Sequence, residues 1–299
     1  MRRNRDRLAD RARGAMLGLA VGDALGAPLE WLHPDQIWAR YGGPLRDMVA
    51  SPLWERGEWT DDTAMALALA ESLVDQGGYV EQDVFARYAL WARSGPKDIG
   101  STVDAALRRA RDSSDARLLA ADYHELSGGQ SAGNGSLMRT VPIALRYLDD
   151  PSGLERYSRL DSGLTHHDPL AGDACVWFNM TVAALVAGRR APSSRSVIAR
   201  EAEAASQLSS AQLAGEVQRQ MGFVLTALRV GFAAAFGHDD LEQAVVYAAN
   251  LGGDADTNAA VTGALAGARF GASAIPERWL EPLHERARLT GIATRLLRA

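Results

Sequence analysis

Two short acidic segments constrain this chain more than any other feature, because each stands directly before an Ala-rich stretch. Residues Gly252–Thr257 read GGDADT and precede a run of small residues, and Glu58–Thr63 read EWTDDT and precede AMALALA. Asp and Thr favour the N-cap and first turn of a helix, so capping explains either segment alone. Four Asp side chains in two first turns would repel one another if the fold brought them together. The pair therefore predicts a shared cation site.

Composition excludes several classes of protein. The chain has 299 residues, of which 47% are hydrophobic and 23% charged, with a net charge of −5. This length provides one large core or two ordinary domains. The acidic balance argues against a general nucleic-acid binder, which is normally basic. A single cysteine, Cys175, excludes an internal disulfide and indicates a reducing cytoplasm. The sequence contains no run of 18 apolar residues, so we predict no membrane span.

The N-terminus has the outline of a signal peptide, with basic residues followed by an apolar stretch. Three carboxylates interrupt that outline, namely Asp6, Asp10 and Asp23, and basic residues continue to Arg13. Signal peptides keep their positive charge at the front and their apolar segment free of carboxylates. We therefore predict a first helix, no export and a cytoplasmic location.

Apolar residues recur at three-and-four spacing along the chain, and strict alternation over the length of a strand is rare. The pattern predicts one compact all-α domain over residues 1–299, with no linker. Gly263 and Gly267 share one helix face and would let a neighbouring helix approach closely. The predicted helices cover about 5–26, 63–76, 81–93, 99–112, 136–148, 168–187, 194–207, 212–236, 240–250, 256–270 and 278–297.

Two further carboxylates lie where a helical core does not require them. Glu30 stands just beyond the first predicted helix, between Leu29 and Trp31, and such a residue alone is typical of an exposed surface. Asp98 lies in a loop that opens a helix, and in isolation capping explains it.

Two other polar segments offer weaker signals. The Gly-rich loop at 131–139 enters a predicted helix, and free N–H groups at such a start suit a phosphate, although Gly-rich loops are common. Arg139 in this segment either reaches a phosphate or forms an ion pair on a solvated helix. His166 and His167 raise the question of zinc, but no third or fourth soft ligand is suitably spaced, so we expect none.

The type of ligand atom then indicates the metal. Hard oxygen donors select Mg²⁺ or Mn²⁺, or alternatively Ca²⁺, over Zn²⁺ or copper. Five carboxylates are more than one Mg²⁺ ordinarily uses, so the set predicts two divalent cations. Beside an anion-binding loop, the expected ligand carries vicinal oxygens and phosphate, as a nucleotide-sugar derivative does. The candidate donors are Glu30, Thr60, Asp61, Asp62, Asp254, Asp256 and Thr257.

The order and spacing of these motifs resemble the ADP-ribosylglycohydrolase family, and most closely its bacterial branch typified by the dinitrogenase-reductase-activating glycohydrolases. The resemblance rests on the segment 14–26, the TDDT at 60–63, the GNG at 133–135 and the GGDADT at 252–257. It implies an orthogonal all-α bundle with a binuclear Mg²⁺ or Mn²⁺ centre at helix N-termini. It also implies cleavage of the bond between ADP-ribose and a protein side chain.

The resemblance assigns expected roles to individual positions. The metal ligands would be Thr60, Asp61, Asp62, Asp254, Asp256 and Thr257, and the catalytic residues Asp98 and Glu30. The substrate-binding residues would be Gly100, Ser101, Gly133, Asn134, Gly135, Ser136 and His166. The implied partners are an ADP-ribosylated protein and ADP-ribose, with nucleic acid only as a modified substrate. We expect the protein to be a monomer.

The expected reaction leaves an oxocarbenium-like centre as the side-chain nitrogen departs. Two cations would hold the 2′ and 3′ hydroxyls of the distal ribose, and Asp98 would stabilise that centre, attack it or activate water.

Two departures from the pattern of the family bear on the substrate. Ser101 stands where the nitrogen-fixation relatives have Asn, and His167-Asp168 follow His166 where those relatives carry a second His one place later. Arginine-linked ADP-ribose is the first choice, while serine-linked and nucleic-acid-linked ADP-ribose stay open.

Two functions from other classes also stay open. A non-catalytic ADP-ribose binder is one, although intact Thr-Asp-Asp and Asp-x-Asp-Thr motifs argue against it. A metal-dependent phosphohydrolase acting on a nucleotide diphosphate is the other. The product distinguishes a glycosidic cut, which releases ADP-ribose, from a diphosphate cut, which releases AMP.

Overall fold

The structure is a computed structural model that describes residues 2–191 and 197–298. Over these residues it contains helices and connecting segments, with one isolated bridge between Gly133 and Phe223. The all-α class is therefore confirmed. The helices are α1 Arg2–Gly26, α2 Pro34–Tyr41, α3 Asp61–Asp75, α4 Glu81–Arg93, α5 Ser101–Leu107, α6 Ser113–Leu126, α7 Val141–Arg146, α8 Pro151–Ser162, α9 Pro169–Val186, α10 Val197–Ala205, α11 Ser210–Arg219, α12 Val224–Gly237, α13 Leu241–Ala249, α14 Ala255–Phe270, α15 Glu277–Leu280 and α16 Arg286–Leu296.

Helices α1 and α14 pack backbone to backbone in opposite directions. A Cβ added to Gly18 would lie 2.0 Å from the carbonyl oxygen of Gly263, and one added to Gly267 would lie 1.9 Å from that of Gly14. Real Cβ atoms do not approach a carbonyl oxygen so closely, so this packing needs glycine. The expected role of Gly263 and Gly267 is confirmed. The contact places the C-terminal end of α1 beside the N-terminal end of α14.

A carboxylate from α1 holds the start of α3. Asp23 is fully buried and accepts hydrogen bonds from the backbone N–H groups of Thr60 at 2.9 Å and Thr63 at 3.0 Å. The hydroxyl of Thr63 donates to the same carboxylate at 2.6 Å. Because α3 is capped by α1 rather than by its own N-cap residue, its acidic first turn lies next to the end of α1. Both acidic segments therefore meet at one place.

Several predicted helix boundaries were wrong. The predicted helix 212–236 is two helices, because Gly222 turns the chain between them with a φ of 74°. The predicted helix 278–297 is also two, because Glu285 takes a left-handed conformation with a φ of 53°. The predicted helix 136–148 begins only at Val141, where Pro142 occupies the first turn. Residues 194–196 of the predicted helix 194–207 lie outside the described residues.

Three helices were missed, and the predicted helix 99–112 ends at Leu107. The face of α8 that is buried includes Ser158, Asp161 and Ser162, so a search for apolar periodicity does not find it. Helix α2 buries only Ile37, and α6 buries only two alanines. These helices carry too little apolar pattern to be detected.

By length and composition alone, helix α9 is apolar enough to cross a membrane, although Asp173 interrupts its apolar residues. A second candidate arises only if the bent pair of α1 and α2 is counted as one span. Within the protein, 72% of the α9 window is buried. The core helix of a globular protein passes the same test. Helix α9 contributes Cys175, Trp177 and Phe178 to the hydrophobic core, which also includes residues of the first and last helices.

Candidate functional site

A cavity of about 420 Å³ opens where the two acidic segments meet. Five segments that are far apart in sequence line it, together with Asp61, Met138 and His166. These segments are 30–31, 98–103, 133–135, 221–222 and 254–257, and in the last of them Ala255 does not line the cavity. The lining has an acidic end and, around His166, an end that we call the histidine end.

Three carboxylates converge at the acidic end. Glu30, Asp98 and Asp256 each present an oxygen atom, and these three oxygens lie within 4.8 Å of one another. Asp61 from the first turn of α3 lines the same cavity. Carboxylate oxygens at this spacing are suited to a hard divalent cation.

The electrostatics of the acidic end favour a bound cation. Burial raises the pKa of Glu30 to about 8 and that of Asp61 to about 8, and the neighbouring Asp98 adds to both shifts. Burial also raises the pKa of Asp256 well above its usual range, with Glu30 as the next cause. These carboxyl groups hold protons near neutral pH unless positive charge is supplied.

Asp62 lies behind this cluster and is fully buried. Its Oδ2 accepts from the hydroxyls of Thr60 at 3.3 Å and Thr257 at 3.4 Å, while its Oδ1 has no hydrogen-bond partner within the described ranges. Leaving a buried polar atom unpaired costs about 1–3 kcal/mol. The unpaired Oδ1, on a carboxylate whose other oxygen is held by two Thr hydroxyls, therefore fits a metal ligand.

Asp254 is held by the loop opposite. Its Oδ2 accepts from the side-chain amide of Asn134 at 2.6 Å and from the backbone N–H of Gly222 at 3.1 Å. Asn134, expected to bind substrate, therefore also positions Asp254. Gly222 was missed because the sequence pattern placed it inside a continuous helix.

Glu30 is positioned by the turn that follows it. The N–H of Trp31 donates to the Gly253 carbonyl at 2.7 Å, and the N–H of Gly253 donates to the Leu32 carbonyl at 2.9 Å. Gly252 and Gly253 have φ values of 68° and 63°, the conformation expected from the glycine pair. The paired turns hold Glu30 beside the start of α14.

The histidine end is built on close contact between a ring and a glycine loop. A Cβ added to Gly133 would lie 3.1 Å from Nε2 of His166, and one added to Gly135 would lie 3.1 Å from Cε1. The sequence predicted that this loop enters a helix directly, and that prediction was wrong, because α7 begins only at Val141. Two of its N–H groups bond within the protein, Gly133 to Ser131 and Asn134 to Gly222.

Comparison with known proteins connects this geometry to a family. The sequence profile described as ADP-ribosylglycohydrolase matches residues 4–299. The chain belongs to the ADP-ribosylglycohydrolase family. It is therefore a hydrolase, and the expected family resemblance is confirmed.

The relatives cover almost the whole chain. One is the ADP-ribosyl-[dinitrogen reductase] glycohydrolase of Rhodospirillum rubrum, 34% identical, with 92% of this chain and 90% of that protein aligned. Another is the ADP-ribosylarginine hydrolase Tri1 of Serratia proteamaculans, 31% identical over 96% of this chain and 79% of that protein. A solved structure titled "ADP-ribosylglycohydrolase-related protein complex" superposes with a TM-score of 0.74 at 33% identity, covering 98% of this chain and 99% of that chain.

Two residues of this family member lie elsewhere than expected. Ser136 is fully buried and shares a hydrogen bond of 2.8 Å with the hydroxyl of Ser162, so it lies behind the cavity lining. Arg139 is also fully buried, and its Nε donates to Asp161 at 3.1 Å. It is neither at a phosphate site nor on a solvated helix, because α8 supplies the partner.

Asp23 is the main residue that sequence reasoning missed. Burial raises its pKa to about 6, although Thr60 and Thr63 donate hydrogen bonds to it. In the sequence analysis it served as a carboxylate that argued against a signal peptide and as part of the segment 14–26, without a role of its own. The sequence did contain a signal for such a role, because Asp23 is a single carboxylate in an apolar helix with a glycine at every fourth position from 14 to 26.

Proposed function

We propose that this protein removes ADP-ribose from modified arginine side chains of proteins, using two divalent cations held at the acidic end. The observation that carries the proposal is the convergence of Glu30, Asp98 and Asp256 within 4.8 Å at one end of the cavity. The name of the relative from Serratia proteamaculans, an ADP-ribosylarginine hydrolase, supports arginine as the linked residue.

The residues present fit a pair of hard cations. The unpaired Oδ1 of Asp62 and the raised pKa values of Asp61 and Asp256 are what a carboxylate set shows when its counter-charge is a metal. Bound Mg²⁺ or Mn²⁺ would supply positive charge and polarise substrate oxygens. The proposed ligands are Thr60, Asp61, Asp62, Asp254, Asp256 and Thr257, with Glu30 beside them.

Asp98 is the proposed proton acceptor. It is partly buried, lines the cavity and is not in either acidic first turn. Burial raises its pKa, which makes its carboxylate a stronger base than an exposed Asp. In the proposed reaction, the bond between the anomeric carbon and the side-chain nitrogen breaks, and the oxygen of water adds to that carbon. The negative charge of Asp98 stabilises the oxocarbenium-like centre while the carbon–nitrogen bond breaks. Asp98 then takes a proton from the water, and that proton passes to the departing nitrogen.

The rest of the ligand would occupy the opposite part of the cavity. Gly133 and Gly135 leave room beside His166, and Gly100 and Ser101 line the wall at the start of α5. These residues are proposed to contact the ribose and diphosphate. Ser136 is not among them, because it has no surface in the cavity.

The test is turnover of an arginine-ADP-ribosylated protein, with Mg²⁺, with Mn²⁺ and after chelation, with identification of the product. We expect metal-dependent release of intact ADP-ribose. Asp98→Asn should abolish most of that release, while Asp104→Asn, the same chemical change in α5 at a carboxylate paired with Arg108, should not.

Other outcomes assign other functions. Release of AMP would indicate a diphosphate cut, and activity only on serine-linked or nucleic-acid-linked ADP-ribose would replace the arginine linkage. Tight binding of ADP-ribose without any release would indicate a non-catalytic binder. Full turnover by Asp98→Asn would remove Asp98 from the reaction.

A further inference from the structure

A chain of buried polar contacts runs from the core to the histidine end. The hydroxyl of Tyr88 donates to Asp161 at 3.0 Å, and the Nε of Arg139 donates to the other oxygen of Asp161 at 3.1 Å. The Nη1 of Arg139 donates to the hydroxyl oxygen of Thr165 at 3.0 Å, and that oxygen lies 2.8 Å from Nδ1 of His166. All five side chains are buried.

Arg139 determines the direction of the hydrogen bonds from its guanidinium group to His166. A guanidinium group only donates, so Thr165 must accept from Arg139. In the part of the chain that the structure describes, Nδ1 of His166 is the one acceptor recorded for the proton of the Thr165 hydroxyl. Because a buried hydroxyl proton without an acceptor is unfavourable, the Thr165 hydroxyl donates to Nδ1 of His166.

The ring of His166 is therefore neutral with a single tautomer. Burial and the nearby Arg139 lower the pKa of His166 to about 3, so the imidazolium form is absent at neutral pH. Since Nδ1 accepts a hydrogen bond, the one ring proton lies on Nε2.

We propose that Arg139 acts through Thr165 as a positioning residue that holds His166 as its Nε2–H tautomer, so that the cavity presents a hydrogen-bond donor at this end. His166 lines the cavity, and its Nε2 has no hydrogen-bond partner within residues 2–191 and 197–298. An N–H donor selects an acceptor oxygen and disfavours a second donor.

The complementary ligand atom is an oxygen of a phosphate or of a ribose. That this oxygen belongs to ADP-ribose rests on the proposed function, whereas the tautomer does not. The two ends of the cavity would thus differ in the partner they take, cations at the acidic end and an acceptor oxygen at the histidine end.

The direct test is ¹⁵N NMR of metal-free protein labelled at histidine, with the signals of His166 assigned by comparison with His166→Gln. We expect a protonated Nε2 and an unprotonated Nδ1, unchanged between about pH 6 and pH 8. A protonated Nδ1, or a titration in that range, would overturn the proposal.

A pair of variants tests the relay through Thr165. Thr165→Val keeps the shape but removes the hydroxyl, so we expect mixed tautomers in the spectrum and a dissociation constant for ADP-ribose about tenfold higher. Thr165→Ser keeps the hydroxyl and should restore both the spectrum and the affinity. A Thr165→Val protein with the wild-type spectrum would contradict the relay.

The same experiments separate this inference from the proposed function. If wild-type protein shows the Nε2–H tautomer but does not bind ADP-ribose in calorimetry, the assigned ligand is wrong and the tautomer stands. If it binds ADP-ribose but shows Nδ1–H, the proposed function stands and the relay is wrong.

Discussion

The two ends of the cavity differ in how their polar atoms are satisfied. At the acidic end, Oδ1 of Asp62 has no partner among the described residues, and burial raises the pKa values of Glu30 and Asp61. At the histidine end, Arg139 and Thr165 form a continuous chain of hydrogen bonds to His166. The acidic end leaves a buried carboxylate oxygen unpaired within residues 2–191 and 197–298, whereas at the histidine end the polypeptide itself supplies the partner of Nδ1 and leaves Nε2 of His166 for a ligand.

This difference separates two kinds of functional polarity. Buried groups that violate the usual rule of pairing indicate where a ligand must supply charge. Buried groups that are fully paired restrict a side chain to one orientation and one protonation state. The acidic end is thus the proposed site for cations, and the histidine end is the proposed contact for a neutral or anionic oxygen.

The largest expected effect is at Asp256. Asp256→Asn removes a proposed metal ligand. Turnover should therefore fall by more than the ~10–100-fold loss that is typical when a residue hydrogen-bonded to a metal ligand is mutated. It also removes a buried carboxyl group that must take up a proton on folding when no metal is bound, so at neutral pH the metal-free variant should melt at a higher temperature than the wild type. Turnover assays and thermal denaturation in chelator would measure both effects.

The control is Asp239→Asn, the same change at an exposed aspartate before α13, which should leave turnover and melting temperature unchanged. An Asp256→Asn protein with wild-type turnover would contradict the metal site as described.

A smaller effect is expected at the residue that positions Asp254. Asn134→Ala removes the 2.6 Å hydrogen bond to Asp254, so Mn²⁺ affinity should fall by about 10–100-fold. Calorimetric titration with Mn²⁺ would measure the change. Gln130→Ala, at an exposed position four residues earlier, is the control and should bind Mn²⁺ as the wild type does. Equal affinities in the two variants would show that Asn134 has no such role.

The close packing of α1 against α14 supports the acidic end and can be tested separately. In Gly26→Ala the new Cβ would lie 2.4 Å from the Ala255 carbonyl oxygen and 2.5 Å from the Asp256 Cα. We expect a loss of about 1–3 kcal/mol in the free energy of unfolding, measured in urea, because the backbone must shift.

Gly291→Ala is the matched control. Gly291 lies in α16 with no atom within 4 Å of an added Cβ, so alanine should raise the free energy of unfolding by up to about 1 kcal/mol. A Gly26→Ala protein as stable as Gly291→Ala would show that the α1–α14 contact tolerates side chains.

The two ends should also give opposite pH dependences of stability in metal-free protein. The folded-state pKa of His166 is about 3 against an ordinary value of 6.5, so its contribution to stability is lost as pH falls from about 6.5. The folded-state pKa values of Glu30 and Asp61 are about 8, above their ordinary values of 4.5 and 3.8. Their contribution is present at low pH and is lost as pH rises towards 8.

Above pH 6.5 the acidic end therefore dominates. The melting temperature in chelator should fall between about pH 6.5 and pH 8, and saturating Mn²⁺ should remove that fall. A metal-free protein that becomes more stable over this interval would contradict the assignment of raised pKa values to the acidic end.

The acidic end was largely predictable from the sequence, because its information is local. The Asp and Thr residues of α3 and α14 stand directly before apolar stretches, and the glycine pair before Asp254 predicts the turn. Their meeting in one place was inferred from the occurrence of two such segments, each before an Ala-rich stretch, and from the resemblance to a family with a binuclear metal centre.

The histidine end was much less predictable, since its partners come together only through tertiary packing. Arg139 is buried because α8 supplies Asp161, and α8 was missed because its buried face is polar. At the acidic end, Gly222 was missed for a related reason. It lies in a stretch with helical periodicity, so the sequence did not predict the turn whose N–H donates to Asp254. Ser136 was assigned to the ligand by motif, but it is buried and shares a hydrogen bond with Ser162 of α8.

A calorimetric titration of metal-free protein with Mn²⁺ at about pH 7.5, repeated in two buffers of different ionisation enthalpy, tests most directly whether the acidic end holds two cations. We predict two Mn²⁺ ions per chain and a net release of protons, because the cations displace protons from carboxyl groups such as Glu30 and Asp61. No binding, or binding without proton release, would contradict this prediction.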